Sequence, residues 1–514
     1  MENKETKTLE KLLPRAPRSL LSWSALNPFD HKPVDELEKK LIVVDDVAEQ
    51  IEESDLESLR DLEDDTPTSP STGGKSNQLA VTLNFLNTIV GAGIVGLPYV
   101  FRIAGFYMVR TFGLIFFFRK RARSQLSILQ GIILLCLGSF LTDYTVRLLV
   151  RTGMRHEQCN YEDLCRYALG NFGQILVTAS MFVFDFGAIL SYLIIMGDAG
   201  TLVVQHVFSQ FKPADGGEND TVRRITIVVL AMTLILPLCL FRDVSKLEKA
   251  ATFSVITVIF VIGVVLYEMI TIGLPSDAGS LHFVEGQGFV SAFGIVSFAF
   301  VCHDSAFLLN NTLKDNHKPS RWACITHGAL GSALLICLSL AVPGFLTFRD
   351  GTCGNLLNNY DPDAAAIIVM RAVYVLTMAS TYPISFFVVR HITNVAIWGG
   401  TKNFKSIQEM PTSRHLLLTL TLFFISVGIV MFVKNLGVVM AVAGSVGGGC
   451  LAYILPPLCN IVLSKYSIFF WRNTGHVLTS IRALGPPLLV LVFGLVVIPL
   501  VVYETIVNAS DGCN

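Results

Sequence analysis

Eleven long apolar segments constrain this chain more than any other feature of its sequence. A helix that crosses a lipid bilayer needs about 20 mostly apolar residues. Only 15% of the 514 residues are charged, whereas soluble domains carry about 25%. We therefore predict an all-α integral membrane protein with eleven transmembrane helices. These predicted spans lie near residues 79–101, 131–150, 173–205, 223–241, 247–274, 287–309, 322–348, 364–393, 415–433, 436–461 and 485–507.

Basic residues alternate between the loops and predict an orientation. The loops after even-numbered spans are rich in lysine and arginine, as in Arg242, Lys246 and Lys249 after span 4, and the odd loops hold few. Because positive loops stay in the cytosol, the N-terminus is expected to be cytosolic and residues 509–514 extracellular or lumenal. Cys353 and Cys513 fall in loops on that outer side, where a disulfide bridge between them can be considered.

Residues 1–78 differ in kind from the rest of the chain. They contain 18 acidic and 10 basic residues and no long apolar run. Low hydrophobicity with an excess of one charge is typical of disorder, so we predict a disordered acidic cytosolic tail. Two interpretations stay open: a solvated tail without chemistry, or a regulatory or sorting segment that binds regulators.

Residues 109–130 interrupt an otherwise regular transmembrane domain, 79–508. They place Arg119, Lys120, Arg121 and Arg123 in a loop that the charge pattern assigns to the outside. The stretch begins with valine, whose codons start with GT, and ends with glutamine, one of whose codons is CAG. It is either an intron retained in the gene model or a genuine insertion.

The first span, "LNFLNTIVGAGIVGLPYVF" at 83–101, contains residues that weaken a helix. Each glycine lowers helix stability by about 1 kcal/mol, and proline removes a backbone donor. We therefore predict that the helix opens between Gly91 and Gly96. Unpaired backbone is tolerated in a membrane only inside protein or beside a cavity. Free N–H groups at a helix start favour a carboxylate and free carbonyls favour a cation, so the pair suits an amino acid. The alternative is that Gly91 and Gly93 only let helices pack closely.

The sixth span is the expected counterpart of the first. The segment "VSAFGIVSFAFVCHDSAFLL" carries Ser297 within an apolar run and His303 with Asp304 at its end. Interrupted helices at corresponding places in two halves indicate a transporter site. We therefore place a substrate contact at Ser297 and treat spans 1–5 and 6–10 as inverted repeats, with span 11 peripheral.

Two titratable residues lie within predicted spans. His303 is either a proton-coupling group or a histidine at a helix end near the cytosol. Asp185 lies inside span 3, where a carboxylate is a functional hypothesis. It is either a proton carrier or the partner of a polar group such as Arg371.

Five motifs resemble the amino acid/auxin permease superfamily and, within it, the sodium-coupled neutral amino acid transporters. They are "LNFLNTIVGAGIVGLPYVFRIAGF", "GSFLTDYTVRLLV", "SYLIIMGD", "SFAFVCHDSAFLL" and "TYPISFFVVRHITNVAI". The resemblance covers about residues 78–508 apart from 109–130. It implies an eleven-helix LeuT-type fold with a 5+5 inverted repeat, alternating access and a neutral L-amino acid substrate.

The resemblance also implies site residues. The first-helix motif would supply substrate and sodium contacts through Asn87, Thr88, Gly91, Ala92, Gly93 and Ile94. Thr381 would help to hold sodium, a hard cation that prefers oxygen ligands, together with the Asn87 side chain and carbonyls near Val90. A structural alternative for Thr381 is a hydrogen bond to its own helix backbone. Leu193 stands where the family often has asparagine, which puts a contact there in doubt.

These observations predict a secondary active transporter of neutral amino acids, coupled to sodium or protons, in the plasma membrane or a vacuolar or lysosomal membrane. No cofactor beyond the coupling ion is expected, and the partners are the amino acid and membrane lipid, without nucleic acid. The sequence contains no GxxxxGK[ST] nucleotide motif and no HExxH or GxSxG motif, so an enzyme is not expected. The alternative is a transporter-like amino-acid sensor that signals through its N-terminal tail.

Overall fold

The computed structural model describes residues 77–104, 120–208, 211, 220–242, 248–273, 288–313, 318–398, 411–464 and 477–507. The chain divides into two units, Met1–Thr72 and Gly73–Asn514. All described residues belong to the second unit. The acidic tail, the segment 109–119, the C-terminal residues 509–514 and Cys513 lie outside them, and their predictions stay predictions.

The described part of the chain is almost entirely helical. Ten helices are long and apolar enough to cross a membrane, and a pair bent by 52° makes an eleventh if it is counted as one span. The prediction of about eleven spans in an all-α membrane fold is therefore confirmed. In order, the spans are Gln78–Ile89 with Gly93–Ala104, Ile128–Arg155, Tyr161–Val207, Asp220–Cys239, Phe253–Ile272, Val290–Thr312, Pro319–Gly351, Ala365–Trp398, Thr412–Val430, Leu436–Leu463 and Leu484–Val507. We number them spans 1 to 11.

Span 1 is interrupted at Val90 and Gly91. Its first half, span 1a, is the α-helix Gln78–Ile89. A short 3-10 helix, Ala92–Gly96, then leads into span 1b, the α-helix Leu97–Ala104. The predicted interruption is present, but it begins one residue earlier than Gly91. Residues 92–96 were expected to be open and instead form a 3-10 helix, in which a carbonyl accepts from the N–H group three residues later.

Span 6 is interrupted at Val301 and Cys302, although it has no proline. Span 6a is Phe289–Phe300 and span 6b is His303–Thr312. Val301 is extended, with φ −66° and ψ 127°, so the helix cannot continue through it. The two interrupted spans are five apart in the chain, which is the spacing that a 5+5 inverted repeat requires.

Glycines of span 10 bring it close to spans 3 and 6 beside these interruptions. Span 3 packs along span 8 and against the wide helical turns of span 10, Ala443–Gly448 and Cys450–Ile454. A Cβ at Gly447 would lie 2.5 Å from the backbone nitrogen of Phe184. Only glycine permits such a close approach of the two helices. This contact positions Phe184 of span 3 beside span 6.

Span 3 also bends near its start. Gly170 has φ 68° and ψ −151° inside the helix Tyr161–Val207. This backbone region is open to glycine alone. The bend separates a first segment from the membrane-crossing length, which agrees with the predicted start of span 3 near residue 173.

Residues 349–364 comprise the last turn of span 7 and the loop to span 8, which we call the loop 349–364, and buried polar groups hold this segment against its neighbours. Arg223 Nη2 lies 3.0 Å from Asp198 Oδ1, and both side chains are almost fully buried. Asn355 Nδ2 donates to the other carboxylate oxygen of Asp198 at 3.1 Å. Cys353, in the same loop, is disulfide-bonded.

Residues 120–130 of the atypical segment are helical and continue into span 2, since the helix runs from Lys120 to Arg155. Gln130 is buried at 4% exposure. The end of the segment is therefore compatible with a packed helix, and the choice between a retained intron and a genuine insertion stays open.

Candidate functional site

A cavity of about 290 Å³ lies between four spans, at the level of both helix interruptions. The sequence predicted a site where spans 1, 6 and 8 meet, and span 3 forms a fourth wall. The lining residues include Asn87, Thr88, Gly91 and Gly93 of span 1; Met181, Phe184, Asp185, Ala188 and Tyr192 of span 3; Phe298, Val301, Asp304 and Ser305 of span 6; and Thr381, Ile384, Ser385 and Val388 of span 8.

The glycines of span 1 line the cavity and also allow close helix packing. A Cβ at Gly93 would lie 2.8 Å from Cα of Ala299 in span 6a. A Cβ at Gly91 would meet the Tyr192 hydroxyl at 3.5 Å, an ordinary contact. Both sequence interpretations of Gly93 therefore describe the structure, because the same residue packs against span 6 and borders the cavity.

The side-chain oxygen atoms proposed for sodium belong to spans 1 and 8, which both line the cavity. Asn87 Oδ1 is buried and has no hydrogen-bond partner among the described residues. Thr381 of span 8 also lines the cavity, and its hydroxyl donates to Thr377 O at 2.8 Å. The structural alternative for Thr381 is thus present, yet a hydroxyl that donates one hydrogen keeps its lone pairs for a cation.

The ends of the half-helices supply the backbone groups of this site. Span 1a ends at the interruption, where Leu86 O accepts from Val90 N and Ile89 O accepts from Gly91 N. The carbonyls of Asn87 and Thr88 are the remaining acceptors of that last turn, and the 3-10 helix that starts at Ala92 begins with N–H groups that have no partner within it. The Thr88 hydroxyl donates back to Phe85 O at 2.7 Å, although the side chain is exposed to the cavity. Backbone donors and acceptors are therefore close together at the interruption.

Several predicted site residues do not line the cavity. Ser297 is buried and its hydroxyl lies 3.4 Å from the Tyr453 hydroxyl of span 10. Ile94 and Val90 are buried in the core. Val90 marks the interruption, and Ala92 starts the 3-10 helix. Their roles as contacts stay predictions.

His303 is fully buried beside span 2, outside the cavity lining. Its Nε2 lies 2.9 Å from the Thr145 hydroxyl. It is the first residue of span 6b, at the interruption. The choice between a proton-coupling group and a helix-end histidine stays open.

The pairing suggested for Asp185 with Arg371 is wrong. Arg371 Nη2 donates to the carbonyls of Leu357 and Tyr360 in the loop 349–364. Arg371 precedes Thr381 by ten residues, about 15 Å along a helix, so it lies far from the cavity wall. Asp185 itself lines the cavity.

Sequence reasoning missed Tyr192 and Ser385, and it did not assign Asp304 a role. Tyr192 belongs to the "SYL" motif, whose next residue, Leu193, is buried and does not line the cavity. Asp304 had a usable signal, since it is a carboxylate in an apolar span. A neutral tyrosine or serine in a helix carries no comparable signal.

The cavity reaches one end of the bundle, which we call the basic end because Arg151, Arg155 and Arg166, near the junction of spans 2 and 3, lie there. Asn160, Leu308 and Asn311, near that end, line the cavity, and Leu308 is 57% exposed. Among the described lining residues, none comes from the loop 349–364 at the opposite end. The cavity is therefore open toward the basic end.

Comparison with known families decides which class of protein has this architecture. The family model for transmembrane amino acid transporter protein matches residues 121–507, about three quarters of the chain. This chain belongs to that family. The transporter is 30% identical over 395 residues to the Mus musculus protein named "Putative sodium-coupled neutral amino acid transporter 11", covering 76% of this chain and 79% of that protein.

A second relative comes from yeast. The transporter is 26% identical over 445 residues to "Vacuolar amino acid transporter 2" of Saccharomyces cerevisiae, covering 85% of each chain. Among solved structures, MhsT in complex with L-phenylalanine matches with a TM-score of 0.48 at 12% identity, over 84% of this chain and 99% of that chain. That structural likeness is too low to carry a conclusion about this transporter. The predicted family and the multi-pass membrane character are confirmed.

Proposed function

We propose that this protein is a secondary active transporter that moves a neutral L-amino acid together with sodium, with protons as the alternative coupling ion. The observation that carries the proposal is the interrupted backbone of span 1 on the wall of a cavity that opens to one end. A continuous helix would pair its own backbone groups and leave nothing to bind a zwitterion.

The substrate carboxylate is proposed to bind near the start of the 3-10 helix Ala92–Gly96, whose N–H groups and helix dipole favour an anion. The ammonium group would face the carbonyls that end span 1a. Phe184 and Phe298 lie 5.5 Å apart between ring centroids on the cavity wall. They would bury the apolar part of a neutral side chain.

Sodium is proposed to bind between Asn87 and Thr381. A buried amide oxygen without a partner is costly unless a ligand or an ion satisfies it, and Asn87 Oδ1 is such an atom. Sodium accepts amide, hydroxyl and carbonyl oxygens as other hard cations do. Both mammalian and fungal relatives are named as amino acid transporters, and the mouse relative as sodium-coupled.

If the basic end faces the cytosol, as the positive-inside rule predicts, the cavity is inward-open. Alternating access then requires the cavity to close at that end and open beside the loop 349–364. The relatives suggest either the plasma membrane or a vacuolar membrane. The sensor alternative gains no support from these relatives.

Uptake of radiolabelled leucine into proteoliposomes tests the proposal, with an inward sodium gradient, an inward proton gradient, or neither. Accumulation above equilibrium with sodium alone is expected. Accumulation driven by protons alone would assign the other coupling ion, and equal uptake in all three conditions would contradict coupled transport. A chain lacking residues 1–70 is expected to transport at an unchanged rate.

A further inference from the structure

The ends of spans 4 and 8 and the start of span 9 meet at the basic end, where span 8 also lines the cavity beside Asn160. Arg390 of span 8 donates from Nη1 to Cys239 O at 2.7 Å and from Nη2 to Phe241 O at 3.3 Å. The guanidinium of Arg390, which is 1% exposed, therefore lies at the negative end of the span 4 helix dipole. Its charge is compensated by that helix end.

Two further arginines lie at the start of span 9, where a positive charge is unfavourable. Arg242 Nη2 donates at 2.7 Å to the hydroxyl of Thr412, the first residue of span 9. Arg414, in the same first turn, has its guanidinium 5.3 Å from the ring centroid of Trp398. A helix N-terminus is the positive end of the dipole and favours anions, and no side chain caps this one. We call Arg242, Thr412, Arg414 and Trp398 the basic patch.

The charge of the basic patch is not balanced nearby. The described residues at the three span ends, 236–242, 388–398 and 411–420, include no acidic side chain. Arg242 and the buried Arg390 also repel each other electrostatically. The sequences of the adjoining loops, 243–247 and 399–410, contain three lysines and two acidic residues: Lys246, Lys402, Lys405, Asp243 and Glu409. Positive charge is in excess here, so an anionic ligand is expected.

The surroundings of the basic patch fit a lipid better than a water-soluble anion. The Arg414 side chain is exposed and that of Arg242 is partly exposed. Beside them, Phe241, Ile397 and Leu417 are 48%, 59% and 58% exposed. A tryptophan at the end of a span, such as Trp398, is typical of the membrane–water interface. A phospholipid can place its phosphate at the arginines and its acyl chains along the apolar side chains, which a soluble anion would leave uncovered.

We propose that the basic patch binds the phosphate of an anionic phospholipid, between spans 4, 8 and 9 in the leaflet at the basic end. The phosphate oxygens would accept hydrogen bonds from Arg242, Arg414 and the first N–H groups of span 9. Basic pockets between transmembrane helices are known to bind anionic head groups in this way. The inference is independent of the proposed function, because none of the patch residues lines the cavity.

The test compares phosphatidylglycerol with phosphatidylcholine of the same acyl chains. Both lipids carry a phosphate, but the positive choline cancels its charge in the second. Each lipid is titrated into the delipidated full-length protein in detergent, and binding is measured from the rise in Tm that a ligand of the folded state causes. Each arginine near an anionic lipid contributes about fivefold to affinity. The concentration for half-maximal stabilisation is therefore expected to be roughly 25-fold lower for phosphatidylglycerol.

Arg414→Gln should raise the half-maximal concentration of phosphatidylglycerol about fivefold, and Arg242→Gln with Arg414→Gln roughly 25-fold, to the value for phosphatidylcholine. Glutamine at residue 242 keeps a donor for the Thr412 hydroxyl. Arg155→Gln is the matched control, because Arg155 is an exposed arginine at the end of span 2, also at the basic end. It should leave both half-maximal concentrations unchanged. If the double variant does not fold, Arg414→Gln and its control carry the test.

Equal half-maximal concentrations of the two lipids for the unmodified protein would overturn this inference. A loss in Arg155→Gln as large as that in Arg414→Gln would also overturn it, since any positive charge at the basic end would then suffice. Equal stabilisation by inorganic phosphate at the same concentrations would assign the patch to a soluble anion instead of a lipid. Leucine binding should be unchanged in all these variants, so each of these outcomes leaves the proposed function intact.

Discussion

Span 1 breaks at Val90 and Gly91, in a stretch with three glycines and a proline, whereas span 6 breaks at Val301 and Cys302, after an apolar run that contains neither proline nor a glycine near the break. The two interruptions lie together, since Gly93 packs on Ala299. Both border the same cavity. Their sequences nevertheless have little in common.

The backbone angles show what the glycines are for. Gly91 has φ −126°, Val301 −66° and Cys302 −147°, and none of these lies in the left-handed region that favours glycine. The glycines instead provide space, because a Cβ at Gly96 would lie 2.9 Å from Met440 Cε. Glycines in a span therefore indicate close approach, and the interruption itself is held by tertiary packing in both spans.

Gly93→Leu should break this arrangement most completely. Even a Cβ at residue 93 lies 2.8 Å from backbone of span 6a, which cannot move aside as a flexible side chain can. Leucine would separate the two interruptions, and we expect loss of both leucine binding and uptake. Gly331→Leu is the matched control, because a Cβ at Gly331 in span 7 has no atom within 4 Å and the residue does not line the cavity, and uptake should stay within about twofold. Normal uptake by Gly93→Leu would mean that the site is misplaced.

Asn87→Ala should have the next largest effect, on the span 1 side of the cavity. If Asn87 Oδ1 binds sodium, the sodium concentration for half-maximal uptake should rise roughly 10- to 100-fold, as expected for a contact with a charged group. Asn310→Ala is a matched control, since Asn310 Oδ1 is also buried and unpaired but the residue does not line the cavity. Equal sodium dependence in both variants would remove Asn87 from the ion site.

Thr381→Val should have a smaller effect, because its hydroxyl already donates to Thr377 O and could contribute only a lone pair to sodium. Valine keeps the shape and removes the oxygen. We expect a rise of about three- to tenfold in the sodium requirement, with recovery in Thr381→Ser. A loss in both variants would indicate a packing role instead.

Much of the fold could be predicted from the sequence, because the summed hydropathy of a segment determines whether it crosses a membrane. About 20 apolar residues define a span wherever they lie, so the spans and the excess of polar groups in span 1 were predictable. The interruption of span 6 was placed only by its position relative to span 1. No local property of Val301 or Cys302 marks it, since their conformation depends on packing against spans 1 and 10.

The site was less predictable because the facing direction of a helical residue depends on helix rotation. Ser297 is a polar residue in the expected span, but it contacts Tyr453 of span 10, whereas Phe298, the next residue, lines the cavity. Asp185 could be recognised as unusual, but not its partner, because Arg371 lies near the far end of its own span. An unusual residue type in a span identifies a candidate site residue. The fold then determines which of the candidate side chains face the same cavity.

The smallest effect on uptake is expected at His303 and Thr145, which lie beside the span 6 interruption but do not line the cavity. Thr145→Val removes the hydroxyl 2.9 Å from His303 Nε2. Hydrogen bonds between membrane helices average about 0.6 kcal/mol, so the free energy of unfolding should fall by about that amount while the pH profile of uptake stays unchanged. Asp185→Asn, on the cavity wall, is the comparison variant for the pH profile. A shifted profile in Thr145→Val would instead make His303 the proton-coupling group. The span 6 interruption would then take part in transport directly. The two interruptions would differ in the ion that they bind, sodium at span 1 and a proton at span 6.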